Sequence, residues 1–284
     1  MTPRRIALTA SALLVALTLP ACGSNGKSTS SSSKQRAASA PQLGPSTWAK
    51  PLMPNTTAKT TPVPILMYHV VSAAKAGAAY PDLWVAKETF AAEIQALKAA
   101  GYQGITLNQL WSAWHGTSEL PQKPIVVSFD DGYLSHWTHA APALKAAGWP
   151  GVLNLEVKNI GDKGIPVRAI KGLINNGWEI DSHTLDHPDM TTLSPSAMQA
   201  ELVGSREAIA KKFGVRPWFF CYPAGKYSSA VEQEVKAAGY LGATTEIPGW
   251  AKPSGNPYEL PRVRVNGSDT AQSLLQKVNS SKPS

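Results

Sequence analysis

The sequence predicts an α/β fold in which about seven parallel strands form a barrel surrounded by helices. Three observations support this prediction. Short apolar segments alternate with segments whose apolar residues recur at helical spacing, which is the pattern of βαβ units. The repeats number about seven and have similar spacing, which suits a barrel better than an open sheet. Acids and histidines follow directly after predicted strands, where barrel enzymes carry their reactive groups.

The predicted elements start at residue 62, and each is identified by its pattern. Residues 62–71 form a short apolar run with turn signals after it, which indicates a strand. Residues 87–101 carry apolar side chains at helical spacing and stop at Gly101, which indicates a helix. The same two patterns then alternate along the chain. They predict strands at 62–71, 102–107, 124–129, 151–157, 178–183, 218–223, 241–246 and 261–266, and helices at 87–101, 107–116, 139–148, 168–177, 194–214, 228–239 and 270–278.

The formal net charge of +8 is concentrated near the N-terminus. Residues 1–60 contain seven basic residues and no acidic one, so the rest of the chain has 20 basic residues against 19 acidic. Nucleic-acid binders cluster positive charge on the folded surface. We therefore expect no nucleic-acid partner, and nothing in the sequence indicates a protein partner.

Residues 1–22 read as an export signal. Arg4 and Arg5 precede an apolar stretch, residues 6–19, of about the length of a signal-peptide core. The segment ends in "LPAC", which resembles a bacterial lipoprotein signal that is cleaved before Cys22. A lipid on Cys22 would anchor the exported protein to the outer face of the membrane or in the cell wall. A plain secretory signal and an uncleaved anchor are the alternatives.

Two further regions follow the signal. Residues 23–60 are rich in Ser, Ala, Thr, Lys and Pro and predict a flexible tether, either a solvated spacer or a segment that lies against anionic lipid or wall polymer. Residues 61–284 contain all the predicted elements and form one folded domain. The chain has only two cysteines, Cys22 and Cys221, which excludes a disulfide framework and a Cys-rich zinc site.

Two adjacent acids end the third predicted strand, in "IVVSFDDGY" at residues 125–133. Neighbouring carboxylates repel each other, and one resists ionisation unless a cation lies nearby. A second motif, "SHTLDH", places His183 and His187 four residues apart after another strand, so their imidazoles can share a metal. Asp-Asp-Gly alone is more commonly a turn or a helix cap, and two histidines at this spacing are more commonly structural.

Together the two motifs predict a catalytic metal site. Two imidazoles and one carboxylate leave coordination positions open for water and substrate. If Asp131 binds the cation, Asp130 stays ionised beside it and can act as the general base towards metal-bound water. This ligand set suits Zn²⁺, and Co²⁺, Ni²⁺, Mn²⁺ or Fe²⁺ would also fit it.

These residues also carry a resemblance to a known family. "VSFDDGY", "EIDSHTLDH" and "FFCYPAGKY", in this order, resemble the motifs of the polysaccharide deacetylase family, the NodB homology domain. "VPILMYHVV" and "LPRVRV" resemble the branch that includes deacetylases of poly-N-acetylglucosamine exopolysaccharide. The resemblance covers about residues 62–278. It implies a distorted (β/α)7 barrel that removes acetyl groups from N-acetylated sugars with the help of a metal.

The resemblance also implies roles for individual residues. Asp130 would be the base, and the metal ligands would be Asp131, His183 and His187. A backbone N–H in the turn from Tyr222 to Gly225, that of Ala224, would meet the oxyanion together with the metal.

Three departures from the family pattern change these expectations. Many members carry an arginine that supports the base at the position of Cys221, so Arg262 is the candidate to orient Asp130 here. The usual Asp-x-x-Asp-Trp segment is absent and only Trp250 remains, as a candidate sugar contact. No histidine follows His187, which leaves His69 as the candidate general acid, with a buried structural histidine as the alternative. His136 and His139, just after the acids, are expected on a helix surface.

The sequence thus favours an envelope-bound N-deacetylase of a polysaccharide such as an exopolysaccharide, a chitin-like polymer or peptidoglycan. Two alternatives remain open. The same metal chemistry can hydrolyse O-acetyl esters. A carbohydrate-binding lipoprotein that kept the fold and lost turnover is the other reading, suggested by the missing arginine and the missing late histidine.

Overall fold

The computed structural model describes residues 54–55 and 57–283. The predicted export signal with Cys22, and the tether up to residue 53, lie outside the described residues. The division of the chain into these segments therefore stays a prediction. Among the described residues, no helix is long and apolar enough to cross a membrane.

Seven parallel strands close into a barrel, which confirms the predicted fold. Each strand pairs with the next in the chain, and the seventh pairs with the first. We number them β1 (Val63–Tyr68), β2 (Pro124–Phe129), β3 (Val152–Leu155), β4 (Glu179–Ser182), β5 (Phe219–Cys221), β6 (Gly242–Pro248) and β7 (Leu260–Arg264).

Helices cover the outside of the barrel. They are α1 (Lys87–Ala99), α2 (Leu107–Trp114), α3 (Ala141–Ala147), α4 (Val167–Asn175), α5 (Pro195–Phe213), α6 (Ser229–Ala237) and α7 (Ala271–Ser280). Their ends follow local rules: Ser194 caps α5 by accepting a hydrogen bond from the N–H of Ala197, and the helix stops at Gly214 in the left-handed conformation.

Shorter elements connect these layers. Two-residue strands lie at Pro54–Asn55, Val70–Val71, Trp84–Val85, Leu120–Pro121 and Trp250–Ala251. Single 3₁₀ turns lie at Ala58–Thr60, Pro81–Leu83, Val157–Asn159, Met190–Thr192 and Pro223–Gly225, and a π-helical turn at His136–Ala140 leads into α3.

The strand predicted at 102–107 forms at Gln103–Ile105 but stays outside the ring. Along Val126–Phe129 one edge of β2 pairs with β1. The other edge is shared, because its beginning pairs with Gln103–Ile105 and its end pairs with β3. The barrel is distorted at this seam.

The barrel strands are buried on both faces, as expected for a parallel sheet covered by helices. Every residue of β1 and β2 is buried, and α1, α3 and α7 pack against the outside of these strands. This rigid wall fixes the directions in which the strands deliver the residues that follow them.

Candidate active site

The side chains predicted to carry chemistry meet at the C-terminal end of the barrel. His69 follows β1, Asp130 and Asp131 follow β2, and His183 and His187 follow β4. All five line one cavity of about 990 Å³. Residues that are up to 118 positions apart in the chain thus converge because parallel strands end at the same edge.

Backbone strain is concentrated at the same place. Among the described residues, four that are not glycine have a positive φ: Asp131 (73°), Thr184 (71°), His187 (61°) and Ala224 (50°). All four lie in the loops that form the site. Such a conformation costs about 1–3 kcal/mol per residue and persists only where the surroundings impose it. The strained backbone sets the directions of two of the candidate metal-binding side chains, Asp131 and His187.

Asp130 is a buried carboxylate held by two side chains through three hydrogen bonds. Nη1 and Nη2 of Arg262 each donate a hydrogen bond of 2.8 Å, one to each carboxylate oxygen. Nδ2 of Asn154 donates to Oδ1 at 2.7 Å. Burial alone would raise the pKa of Asp130, but the adjacent Arg262 guanidinium outweighs it and holds that pKa well below its ordinary value. Asp130 is therefore ionised.

Arg262 is 1% exposed and is itself fixed from several sides. Its Nε donates to the carbonyl of Thr245 at 2.8 Å, and Nη1 also reaches Oγ of Ser128 at 3.2 Å. Nη2 lies 3.3 Å from Sγ of Cys221. The guanidinium of Arg262, from β7, therefore binds the Asp130 carboxylate, and the thiol of Cys221, from β5, contacts the same guanidinium.

Asp131, His183 and His187 form a donor set that fits a metal ion. Their candidate ligand atoms lie within 4.8 Å of one another. Nε2 of His183 is 3.4 Å and Nε2 of His187 is 3.8 Å from Oδ1 of Asp131. One carboxylate and two imidazoles suit Zn²⁺ and other divalent transition metals.

The orientation of His183 and the charge of His187 also fit a metal. Nδ1 of His183 lies 2.8 Å from the carbonyl oxygen of Cys221, which makes Nδ1 the donor and turns the lone pair of Nε2 towards Asp131. Burial lowers the pKa of His187, which keeps its imidazole neutral and able to bind a cation. Burial would raise the pKa of Asp131, but the His183 imidazole outweighs it and lowers that pKa.

His69 lies on the other side of Asp130. Its Nε2 is 3.9 Å from Oδ2 of Asp130, and its Nδ1 has no hydrogen-bond partner among the described residues. The expectation that His136 lies on a helix surface is wrong, because His136 is fully buried and its Nε2 lies 2.5 Å from the carbonyl oxygen of His69. Burial lowers the pKa of His136 to about 4, so it donates as a neutral imidazole.

The π-helical turn explains the position of His136. The extra residue of such a turn is common at functional sites. It carries His136 under His69 and brings Nδ1 of His139 to 2.6 Å from the carbonyl oxygen of Val71. Both histidines therefore secure the segment that follows β1.

Comparisons with known proteins agree with this geometry. The polysaccharide deacetylase family model matches residues 117–243. The YxkH protein of Bacillus subtilis, assigned to the polysaccharide deacetylases, is 32% identical over 212 residues, which are 74% of each chain. The chain belongs to the polysaccharide deacetylase family.

A structural relative and a short sequence match extend the comparison. The Streptococcus pyogenes deacetylase PplD, solved in complex with acetate, superposes with a TM-score of 0.72 at 23% identity, over 77% of this chain and 99% of that one. A 56-residue stretch, 20% of this chain and 8% of the relative, is 43% identical to the poly-β-1,6-N-acetyl-D-glucosamine N-deacetylase of Escherichia coli. Deacetylases of this family use a divalent metal, which the donor set around Asp131 accommodates.

The turn after β5 contributes backbone rather than an aromatic ring to the deacetylase cavity. Ala224 lines the cavity, with its backbone in the left-handed region. The ring of Tyr222 points away from it, because Tyr222 is buried in a separate cluster and stacks on Tyr227 at 4.8 Å. Tyr222 therefore belongs to the predicted turn, but its side chain does not line the cavity.

The structure does not bring Trp250 to this cavity. Trp250 pairs with Pro64, at the N-terminal end of β1, and its Nε1 donates to the carbonyl of Val278 at 2.9 Å. It lies at the opposite end of the barrel from the five side chains of the candidate site. The predicted sugar contact fails because the strand Trp250–Ala251 runs back antiparallel to β1.

Several groups in and around the cavity were not found from the sequence. Asn154 had a usable signal, since it is the one strongly polar side chain within the apolar strand β3. Of the others, Glu246 and Arg264 lie in the last residues of β6 and β7, and the rest lie in the connections between elements, where no periodic pattern marks them. These other groups are Tyr80, Asp82, Tyr133, Glu156, Glu246, Arg264 and Asn266.

Proposed function

We propose that the protein is a metal-dependent hydrolase that removes N-acetyl groups from polysaccharides containing N-acetylglucosamine. The observation that carries the proposal is the pair of adjacent acids with different partners. Asp130 is ionised and clamped by Arg262, while Asp131 faces two imidazoles in the same cavity. One acid can then serve as a base while its neighbour holds a cation.

The residues that would hold the metal are Asp131, His183 and His187. A divalent ion, most simply Zn²⁺, would lower the pKa of a water molecule towards about 7 and polarise the acetyl carbonyl. Asp130 would accept a proton from the attacking water, and its Oδ2 faces both Arg262 and His69. Arg262 keeps the carboxylate in one orientation throughout, because both of its Nη atoms are engaged.

His69 is the candidate general acid for the leaving amine. At 3.9 Å from Oδ2 of Asp130, it can receive the proton and donate it to the leaving amine. His136 holds the backbone of His69 in position from below. The N–H of Ala224, which lines the same cavity, is the candidate donor to the oxyanion, and the constrained turn around it would keep that donor in place.

The choice of an amide substrate rests on relatives. The short Escherichia coli match is to a poly-β-1,6-N-acetyl-D-glucosamine N-deacetylase, and a Bacillus subtilis relative, 28% identical over 143 residues, is a peptidoglycan-N-acetylmuramic acid deacetylase. The cavity of about 990 Å³ has room for a section of such a glycan. O-acetyl esters on polysaccharides are the second substrate class to be tested.

The position of Arg262 weakens the reading as a non-catalytic binding protein. That reading was suggested by Cys221, which occupies the place of a base-supporting arginine. The guanidinium reaches the same carboxylate from β7, so the support for the base is present. A protein that only binds carbohydrate does not require this charged pair in its interior.

The test is acetate release by the purified full-length protein. N-Acetylglucosamine oligomers and an O-acetylated xylan would be offered before chelation, after chelation, and after zinc is restored. We expect release from the oligomers that chelation abolishes and zinc restores, and that Asp130→Asn abolishes. Asp82→Asn is the matched control, because Asp82 lines the same cavity but belongs neither to the metal donor set nor to the partners of Asp130.

Two outcomes would change the proposal. Release from the xylan alone would reassign the enzyme to acetyl esters. Metal binding without release from either substrate would favour the binding protein.

We further propose that the protein is an envelope lipoprotein anchored through Cys22, and a Cys22→Ser variant that still incorporates labelled palmitate would contradict this.

A further inference from the structure

A second cavity, of about 440 Å³, lies at the end of the barrel opposite the catalytic groups. Lys59 and Thr60, which precede β1, line one side of it, and Pro257, which precedes β7, lines another. The six residues of β1 separate this end from His69 by roughly 20 Å. A ligand in this cavity would therefore not touch the catalytic residues.

The walls of the cavity are aromatic and held in place. Trp111 stacks on His115 with ring centroids 4.0 Å apart and meets the ring of Phe219 edge-on at 6.0 Å. Nε1 of Trp114 donates to the carbonyl of Thr61 at 2.9 Å. Both tryptophans are only partly buried. They offer preformed apolar surface of the kind on which sugar rings pack.

The polar side chains that line the cavity are either positively charged or neutral. Lys59 and Lys252 line it, together with His115 and the hydroxyls of Thr60 and Ser254. Among the described residues, no acidic side chain lines it, and neither lysine forms an ion pair. This excess is local, because beyond residue 60 the chain carries 20 basic and 19 acidic residues.

We propose that this cavity binds an anionic sugar unit of a glycan, with its carboxylate or phosphate between Lys59 and Lys252 and its ring against the tryptophan walls. Two ammonium groups that have no ion-pair partner among the described residues select a negative charge. Fixed indoles and the hydroxyls of Thr60 and Ser254 select a saccharide over a simple ion. The site would hold the protein on an anionic polymer while the other end of the barrel remains free.

The test is titration calorimetry on the full-length protein with three probes of known chemistry. An oligogalacturonide carries carboxylates, glucose 6-phosphate carries a phosphate, and cellotetraose is neutral. We expect an anionic probe to bind and cellotetraose not to bind. The carboxylate and phosphate arms identify which anion the site prefers, and binding of either one supports the proposal.

Two double variants with the same loss of charge locate the site. Lys59→Gln with Lys252→Gln should weaken binding of the anionic probe by about tenfold or more, since two ion pairs are lost. Lys98→Gln with Lys145→Gln, on exposed surfaces of α1 and α3, should leave it unchanged. Acetate release from short neutral oligomers should be the same in both, because neither pair lies near the catalytic cavity.

Four results would overturn the proposal. Equal weakening in the two double variants would mean that net charge alone attracts the probe. Unchanged binding in Lys59→Gln with Lys252→Gln would place any binding elsewhere. Failure of both anionic probes to bind, or equal binding of cellotetraose, would remove the charge selection on which the inference depends.

Discussion

Replacing Arg262 by methionine tests the central feature of the site. Methionine roughly preserves the length of the side chain but removes the guanidinium that holds both oxygens of Asp130. Asp130 is 2% exposed, so water cannot replace the lost partner. Removing one member of a buried ion pair typically costs about 3–5 kcal/mol, because the remaining charge is left uncompensated. We expect a loss of that size in the free energy of unfolding.

The double variant distinguishes this cause from a general packing defect. Asp130→Asn alone leaves Arg262 buried without its counter-charge, and should also destabilise strongly. Combining Asp130→Asn with Arg262→Met leaves no unpaired charge, so the double variant should lose much less than the two single losses together. We expect a coupling free energy of about 3 kcal/mol. The remaining loss comes from the hydrogen bonds to Thr245 and Ser128.

The assay is urea denaturation of the full-length protein in a chelating buffer, followed by intrinsic fluorescence. Arg264→Met is the matched control on the same strand, since Arg264 pairs with Glu246 at the partly exposed rim. An exposed pair contributes about 0–1 kcal/mol, so this control should lose little. Additive losses from Asp130→Asn and Arg262→Met would refute the reasoning, as would an Arg264→Met loss equal to that of Arg262→Met.

Three further predictions follow from other parts of the domain. Tyr80 lines the cavity of the candidate site and is 72% exposed, so its ring is available to pack against a sugar unit. Tyr80→Ala should raise KM for polymeric substrate by about tenfold with little change in kcat. Tyr80→Phe keeps the ring and should match the wild type. Burial raises the pKa of Glu93 from 4.5 to about 8, so the contribution of protonated Glu93 to stability is full below pH 4.5 and is lost as pH rises through 8. The free energy of unfolding should therefore fall by roughly 3 kcal/mol between pH 6 and 9. Denaturation at these two pH values measures the fall, which should be absent in Glu93→Gln. Gly132, which directly follows Asp131, has φ 102°, and a Cβ there would lie 2.8 Å from the side chain of Leu155. Gly132→Ala should therefore weaken zinc binding in a titration. The control is Gly148→Ala, at φ 79° with open space around it, which should only lower the free energy of unfolding by about 1 kcal/mol.

The sequence predicts the order of elements well because each signal is local. The helix α5 forms at Pro195–Phe213 where its pattern predicts 194–214, and β2 forms at Pro124–Phe129 as predicted. Closure of the ring is not a local property. It depends on β1 pairing with β2 across about 60 residues, and this pairing is what leaves Gln103–Ile105 outside the barrel.

The candidate site shows the same division. Asp130 and Asp131 are recognised from the sequence because they are neighbours at a strand end, and His183 and His187 because of their spacing. Trp250 was misplaced because position in the chain near a strand end does not give the direction of the strand. His136 was misplaced because a π-helical turn shifts the helical phase by one residue, which no periodicity in a short segment predicts.

The positive charge beside Asp130 comes from Arg262 on β7, and not from position 221 on β5, where Cys221 stands. Asp130 needs a cation inside the ring, but nothing requires that cation to come from β5. Arg262 approaches from β7, and the small thiol of Cys221 at 3.3 Å from Nη2 leaves room for it to pass. An arginine at both positions would bring two guanidinium groups to one carboxylate, and a large apolar residue at 221 would block the path. Meanwhile the carbonyl of Cys221 still orients His183, because that contact uses the backbone alone. The strand β5 therefore still orients one member of the candidate metal donor set, while the support of Asp130, the proposed base, comes from β7.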